Sequence, residues 1–365
     1  MKILFFIESL RSGGKERRLV ELIKGLSRNP VIEMEIVLTK EDIHYTDILS
    51  TNINIHYTIR KEGLKKDPRI FYKFYKVANK VKPDIIHVWG NLVAIYAIPA
   101  KFFLRIPMVN SQIADAPENV GNSILSHRLS FPFSDKILGN SYAGLEAYNS
   151  PERKSSVIYN GFDFNRVSKV EDTNTIRKKF NITTKLVVGM VASFADNKDY
   201  TSYIKAANSI LKNNKEVTFL CIGAGDDTEY KKMVASKNKE NILFLGKQSN
   251  VENIMNICDI GVLSTYTEGI SNALLEFAAL GKPVVTNFGG GNIELVRQGE
   301  TGYLVNQKSP DKLAEKIELL LYDEDKRMEF GRKGKEMVAQ QFSIEKMISN
   351  FTEVYLKLLI DKRNG

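Results

Sequence analysis

Twice along this chain a short run of β-branched and aromatic residues gives way to a helical stretch and then to another such run, and that alternation constrains the architecture most. The first series reads ILFFI at 3–7, GKERRLVELIKGL at 14–26, IEMEIVL at 32–38, INIHY at 53–57, a helix near 68–82 and DIIHV at 84–88. PMVNS, KILGN and SSVIY continue it to about residue 158. Strands that alternate with helices fold as parallel sheets with crossover helices. At Tyr159–Asp163 an Asn-Gly turn dipeptide follows a strand, and the polar stretch SKVEDTNTIRKK comes after it, which marks the hinge. The pattern restarts with KLVVGMVA, a helix near 199–214, VTFLCIG, a helix near 228–238, NILFLG, DIGVLS and KPVVTN, with closing helices from about residue 309. A length of 365 residues exceeds what one core usually organises, so two successive α/β halves are expected. Ligands of open α/β sheets bind at the carboxyl ends of the strands, and two such domains leave a cleft where those ends face each other.

The remaining composition narrows the class. The apolar run after Met1 is shorter than a signal-peptide core and lacks a small-residue cleavage site, so it reads as a buried first strand. No stretch approaches about 18 uninterrupted apolar residues, so any membrane contact is expected to be peripheral. Cys221 and Cys258 sit in apolar runs that suit small buried side chains, and the four histidines show no metal-ligand spacing. The expected compartment is the cytoplasm. A net charge of +9 and a pI near 9.2 suggest an anionic partner.

The most informative segment runs from Glu268 through Gly269, Ile270, Ser271, Asn272, Ala273, Leu274 and Leu275 to Glu276, followed by FAALGKPVV. Ser271 or Asn272 can cap a helix ending at Gly281, which leaves Glu268 in the preceding loop and Glu276 inside the helix. Leu274, Leu275, Phe277, Ala278, Ala279 and Leu280 surround Glu276, so its carboxylate is expected to be buried and to need a partner. From the residues alone, a structural bond to backbone and a functional one stay equally open, and Glu268 reads equally as a turn residue.

The setting E-G-x-S-N-x-x-x-E-x-x-A-x-G-K-P resembles the paired-glutamate motif of retaining glycosyltransferase family 4. Gly13-Gly14-Lys15-Glu16 is similar to that family's first-loop G-G-x-E, Asn160-Gly161-Phe162-Asp163 to its hinge N-G-x-D, and Gly290-Gly291-Asn292-Ile293-Glu294 to its G-G-x-x-E. The resemblance spans about residues 1 to 345 and implies the GT-B fold, two Rossmann-like domains facing across a cleft. Residues 1–160 would form the acceptor-side domain, 161–342 the nucleotide-sugar-binding domain, and 343–365 a helix packing back towards the first. It also implies roles. Glu268 would contact the donor sugar at the reacting centre, and Glu276 would accept hydrogen bonds from the ribose hydroxyls. The donor diphosphate would lie at the amides of Ile270, Ser271 and Asn272, where a helix begins and favours an anion, with Gly269 beside them as a further donor-binding residue. The family's R-x-x-x-x-K stretch corresponds to Ser193-Phe194-Ala195-Asp196-Asn197-Lys198, so Lys198 would neutralise the leaving diphosphate and Ser193 stands where arginine is commonest. Gly13 and Gly14 would let backbone approach the donor, or else form a tight turn needing positive φ. His87 resembles a recurrent strand-end histidine and is a candidate for catalysis, with a structural histidine as the plainer reading. The family's T-x-H-D loop is replaced by Asn110–Asp115, and His44, His56 and His127 have weaker claims.

Expected substrates are a nucleotide-diphosphate sugar, UDP-linked hexose or N-acetylhexosamine first, and a glycan or lipid-linked acceptor of surface-polysaccharide synthesis. No cofactor, no metal and no nucleic acid is expected. Asp323-Glu324-Asp325 is the lone D-x-D triplet, but it falls between closing helices rather than at a strand end. A nicotinamide dehydrogenase fails on Gly223-Ala224-Gly225, because Thr228 stands at the third glycine and Lys247 where an acidic ribose binder belongs. A nucleotide-sugar epimerase and a non-catalytic partner subunit remain as alternatives. Residues 60–82 hold nine basic and two acidic side chains: either an apolar stripe packs on the sheet and the lysines are solvated, or Lys65, Lys66, Lys73 and Lys76, with Phe71, Tyr72 or Tyr75 at the rim, meet an anionic membrane surface on its inner face.

Overall fold

The computed structural model describes residues 1–64, 66–117, 123–168 and 170–364. The chain divides into two compact units, Met1–Gly161 with Ile344–Gly365, and Phe162–Ser343.

The first unit contains β1 (Lys2–Ile7), α1 (Gly14–Leu26), β2 (Glu33–Leu38), β3 (Asn54–Tyr57), α2 (Arg69–Val81), β4 (Ile85–Val88), α3 (Asn91–Leu104), β5 (Met108–Ile113), α4 (Ser123–Arg128), β6 (Lys136–Gly139), α5 (Tyr142–Ala147) and β7 (Ser155–Val157). Its sheet runs β3-β2-β1-β4-β5-β6-β7, with every pairing parallel. β1 is apolar at each of Ile3–Ile7 because both sheet faces are covered. Ile3, Phe5 and Ile7 join one core cluster, and Leu4 and Phe6 join the cluster that buries Ile70, Phe74 and Ala78 of α2 and Val93, Ala94 and Ala97 of α3.

The second unit contains α6 (Thr173–Lys179), β8 (Leu186–Val191), α7 (Tyr200–Ile210), β9 (Val217–Ile222), α8 (Thr228–Lys232), β10 (Ile242–Gly246), α9 (Val251–Asn256), β11 (Ile260–Leu263), α10 (Asn272–Ala279), β12 (Val284–Asn287), α11 (Asn292–Leu295), β13 (Gly302–Val305), α12 (Pro310–Leu321) and α13 (Glu324–Gln341). The sheet order is β10-β9-β8-β11-β12-β13, again all parallel. The last helix, α14 (Ile344–Asn364), belongs to the first unit, where Met347, Phe351 and Tyr355 enter the core cluster beside α1.

Each sheet leaves its first strand in both directions, to the second strand on one side and the fourth on the other. In such doubly wound sheets the crevice for ligands opens at the carboxyl ends of those first and fourth strands. In these units that means the loops after β1 and β4, and the loops after β8 and β11.

The elements absent from the sequence reading include α3, β13 and α6, which forms within the polar stretch read as the hinge, and one expected helix is shorter. α3 is apolar nearly all round and carries Pro99, so it shows no helical stripe. β13 has four residues and opens on Gly302, which reads as a turn. The helix expected over 228–238 ends at Lys232. There Asn208 of α7 donates to the Met233 carbonyl at 2.9 Å and accepts from the Ala235 backbone amide at 3.1 Å, two bonds that stand in for helical ones, and it also accepts from the Asn238 side-chain amide at 2.9 Å. Cys221 and Cys258 are fully buried free thiols; burial pushes the Cys258 thiol up to about 12 and raises Cys221 as well. Among the described residues no helix is long and apolar enough to cross a membrane.

Candidate active site

In the second unit the loops after β8 and β11 are laced together by backbone bonds. The Asp199 amide donates to the Ser264 carbonyl at 2.9 Å, and the Tyr266 amide to the Asn197 carbonyl at 3.0 Å. Thr265 Oγ1 donates to the Asn197 carbonyl at 2.8 Å, and the Thr265 amide donates to Asn287 Oδ1, at the end of β12, at 2.7 Å. This lacing brings Lys198 to Glu268: the ammonium pairs with the carboxylate and also reaches Thr265 Oγ1 at 3.4 Å. Both side chains are only partly buried, 12% and 22% exposed, so a ligand can reach the pair.

The loop after β12 supports the same place from beneath. The Gly291 amide donates to the Glu268 carbonyl at 3.0 Å. A Cβ at Gly290 would lie 2.1 Å from the Glu268 carbonyl oxygen, at a φ of +54°, and one at Gly291 would lie 2.5 Å from that of Gly269. Glycine is required there because the two backbones touch. The G-G-x-x-E stretch therefore fixes the backbone of the glutamate loop. Gly269, Ile270 and Ser271 are buried, Asn272 half-buried. Ser271 is the N-cap of α10, its Oγ accepting from the Leu274 amide at 3.4 Å. Ser193, after β8, is exposed and presents a hydroxyl.

Glu276 is buried, 3% exposed, and has the partner that its apolar neighbours demanded. That partner is Arg166, whose Nη2 donates to Glu276 Oε1 at 2.9 Å. The same guanidinium bonds Glu252 of α9, through Nε at 3.0 Å and through Nη2, and lies 5.0 Å from the Phe162 ring centroid. Burial works against its charge, but Glu276 and Glu252 outweigh that and raise the Arg166 pKa above its ordinary value. Nothing in the local sequence singles out Arg166.

In the first unit Gly13 precedes α1 with an extended φ of −169°, so the tight-turn reading with positive φ is corrected. The reason for glycine is space, since a Cβ there would meet Glu16 Oε2 at 2.3 Å. Gly14 starts α1 and is exposed. His87 lies on β4 with no exposed surface. Its Nδ1 bonds the Tyr355 hydroxyl at 2.7 Å and its Nε2 the Ser111 hydroxyl at 2.8 Å, within a cage of Phe5, Trp89, Phe351 and Tyr355. Burial, with Arg18 nearby, holds its pKa well below 6.5. With both ring nitrogens engaged and no opening to a ligand, His87 joins β4, β5 and α14, and we assign it no catalytic part. Asp323 is the N-cap of α13, its carboxylate accepting from the Lys326 amide at 2.9 Å, so the D-x-D triplet is a helix junction.

The comparisons agree with this arrangement. Residues 172–337 match the family model of glycosyl transferases group 1. The chain is 27% identical over 313 residues to N-acetyl-alpha-D-glucosaminyl L-malate synthase of Bacillus anthracis, covering 80% of each chain. It is 23% identical to UDP-Gal:alpha-D-GlcNAc-diphosphoundecaprenol alpha-1,3-galactosyltransferase of Escherichia coli, covering 94% of this chain and 97% of that one. Among solved structures, Anabaena HepE in complex with UDP superposes with a TM-score of 0.86 at 22% identity, over 98% of this chain and 100% of that one. Over residues 172–337, most of its second unit, the chain is similar to the glycosyl transferases group 1, and it has the GT-B fold, each of its two units a doubly wound Rossmann-like sheet.

Proposed function

We propose that this chain moves a hexose or N-acetylhexosamine from a UDP-sugar to a lipid-linked or other glycan acceptor of surface-polysaccharide synthesis, with retention at the anomeric carbon and without a metal on the diphosphate. The observation that carries the reading is the Lys198–Glu268 pair beside the N-terminus of α10, at the carboxyl ends of β8 and β11. As the bond between the sugar and the diphosphate breaks, charge builds on the departing phosphate. The Lys198 ammonium and the first-turn amides of α10 are the groups that would stabilise it. Lys198 pairs with Glu268; an arriving diphosphate would compete for the ammonium and free the carboxylate to face the sugar. Glu276, held by Arg166, keeps a carboxylate in place for the ribose hydroxyls. Ser193 supplies one neutral hydrogen bond where an arginine would give a charged fork, so the phosphate charge falls mainly to Lys198. UDP is favoured because the Escherichia coli relative is named for UDP-Gal and HepE was solved with UDP, and a lipid-linked acceptor because that relative acts on a diphosphoundecaprenol glycan. The proposed location is the cytoplasm, at the inner face of the membrane.

The test is turnover of UDP-hexoses and UDP-N-acetylhexosamines onto a diphosphoprenol-linked glycan in the presence of EDTA, with the product anomer read by NMR. Transfer is expected to survive chelation and to keep the donor's α configuration. Loss of turnover that Mg²⁺ or Mn²⁺ restores would refute the metal-free reading, and a β product the retaining one.

A further inference from the structure

The end of α3 carries an unusual surface. Phe102 and Phe103 are consecutive, 67% and 70% exposed, and their rings meet edge-on at 5.4 Å. Phe103 also packs edge-on against Tyr75 of α2 at 6.4 Å, which joins the pair to the neighbouring helix. α2 buries Ile70, Phe74, Ala78 and Val81 against the sheet and leaves Arg69, Tyr72, Lys76 and Lys80 exposed on its outer face. Tyr72 is 62% exposed, with the Lys76 ammonium 5.2 Å from its ring centroid. On the other flank, Phe102, exposed Arg105 and exposed Lys362 border one concavity of about 430 Å³.

The exposed charges on the outer face of α2 and beside Phe102 are mostly of one sign. Lys76, Lys80, Arg105 and Lys362 face solvent, and Asp361 opposes them. Asp135, which borders the same concavity, is taken up by Lys101 at 2.7 Å and by the Met108 amide at 2.7 Å. Exposed aromatics ringed by cations complement a surface that is apolar within and anionic at its face, as an acidic bilayer is. A second copy of the chain would set like charges against each other.

We infer that this face, Phe102 and Phe103 with Tyr72, Lys76, Lys80 and Arg105 around them, docks the first unit on an anionic membrane, the aromatic rings entering the headgroup region. The inference rests on the reading of a lipid-linked acceptor and deepens it by naming the surface through which the enzyme reaches that acceptor. It also revises the set expected from sequence. Lys73 donates to the Ile59 carbonyl at 2.9 Å and is not available to lipid, Lys65 lies outside the described residues, and Lys66 borders a separate concavity with Phe71 and Leu92. The apolar contribution comes from α3, which the basic stretch alone did not reveal.

Co-sedimentation with phosphatidylcholine vesicles, with and without phosphatidylglycerol and at low and high salt, tests the proposal. The intact chain should bind the anionic vesicles and release at high salt. Phe102→Ser with Phe103→Ser should lower the bound fraction about tenfold by removing apolar insertion, and Lys76→Glu with Arg105→Glu should abolish the preference for phosphatidylglycerol. The same variants should keep the stabilisation by UDP and transfer to a detergent-dispersed acceptor, which also shows that they fold. Equal binding to both vesicle types, or binding unchanged by the phenylalanine variants, would overturn the docking face. A concentration-dependent dimer that the phenylalanine variants dissolve would overturn it too and reassign the face to self-association. If vesicle binding fails while UDP still stabilises the chain, the docking proposal falls alone; if UDP has no effect, the transferase reading falls.

Discussion

Glu268 and Glu276 are eight positions apart and do different work because their surroundings differ. Glu268 is loop-borne, reachable and paired with Lys198, whereas Glu276 is locked inside α10 by Arg166. Glu268→Gln is therefore expected to lower kcat about a hundredfold with little change in donor KM, and Glu276→Gln to raise donor KM chiefly. Arg166→Met removes the cation that Glu252 and Glu276 share, so it should raise donor KM as Glu276→Gln does and also destabilise the fold by about 3 kcal/mol. Adding Glu252→Gln should recover part of the stability but not the KM. Steady-state kinetics with thermal melts of the four variants check this, and an Arg166→Met enzyme with unaltered KM and melting temperature would remove Arg166 from the site. The need of Glu276 for a partner was legible in its apolar helical neighbours. The partner was not, because Arg166 stands 110 residues away in sequence and only the fold of the second unit brings them together.

At the scale of elements, strands were legible wherever both sheet faces are covered, since β1, β8, β9 and β11 then read as nearly continuous apolar runs. α3 and β13 were not, one for want of a polar face and the other for its brevity. The return of α14 to the first unit was expected from the family resemblance and not from its own residues, because its hold there lies in side chains from distant strands. Arg18 of α1 is enclosed with it, the guanidinium 5.4 Å from the Trp89 ring centroid and 5.2 Å from that of Phe351, and burial lowers its pKa to about 9. His87 gives this clamp a pH dependence. In the folded chain it stays neutral well below pH 6.5, while the unfolded chain takes up the proton near 6.5. Its contribution to stability is thus complete above that pH and declines below it by up to about 1.4 kcal/mol per pH unit. Urea midpoints measured between about pH 5 and pH 8 should show that decline, and His87→Gln, although less stable at neutral pH, should show a shallower one. An identical slope in the variant would place the titrating group elsewhere.

Across the whole molecule, one winding is used twice, and both sheets reverse direction between their first and fourth strands. The family motifs in the sequence pointed to that fold because they fall in strand-end loops and in the first turns of the helices that follow, the part of a doubly wound sheet where function is placed. The surplus of positive charge, +9 in all, is consistent with anionic ligands but does not locate them; the strand ends do. The central claim is that the loops after β8 and β11 hold a nucleoside diphosphate through Lys198. Calorimetric titration of UDP and of uridine, both in EDTA, into the wild-type chain and Lys198→Ala tests it most directly. A charged hydrogen bond of about 1.5–3 kcal/mol predicts that Lys198→Ala weakens UDP by about 10- to 100-fold and leaves uridine unchanged. Equal UDP affinity in the two proteins, or UDP binding that appears only when Mg²⁺ is added, would contradict it.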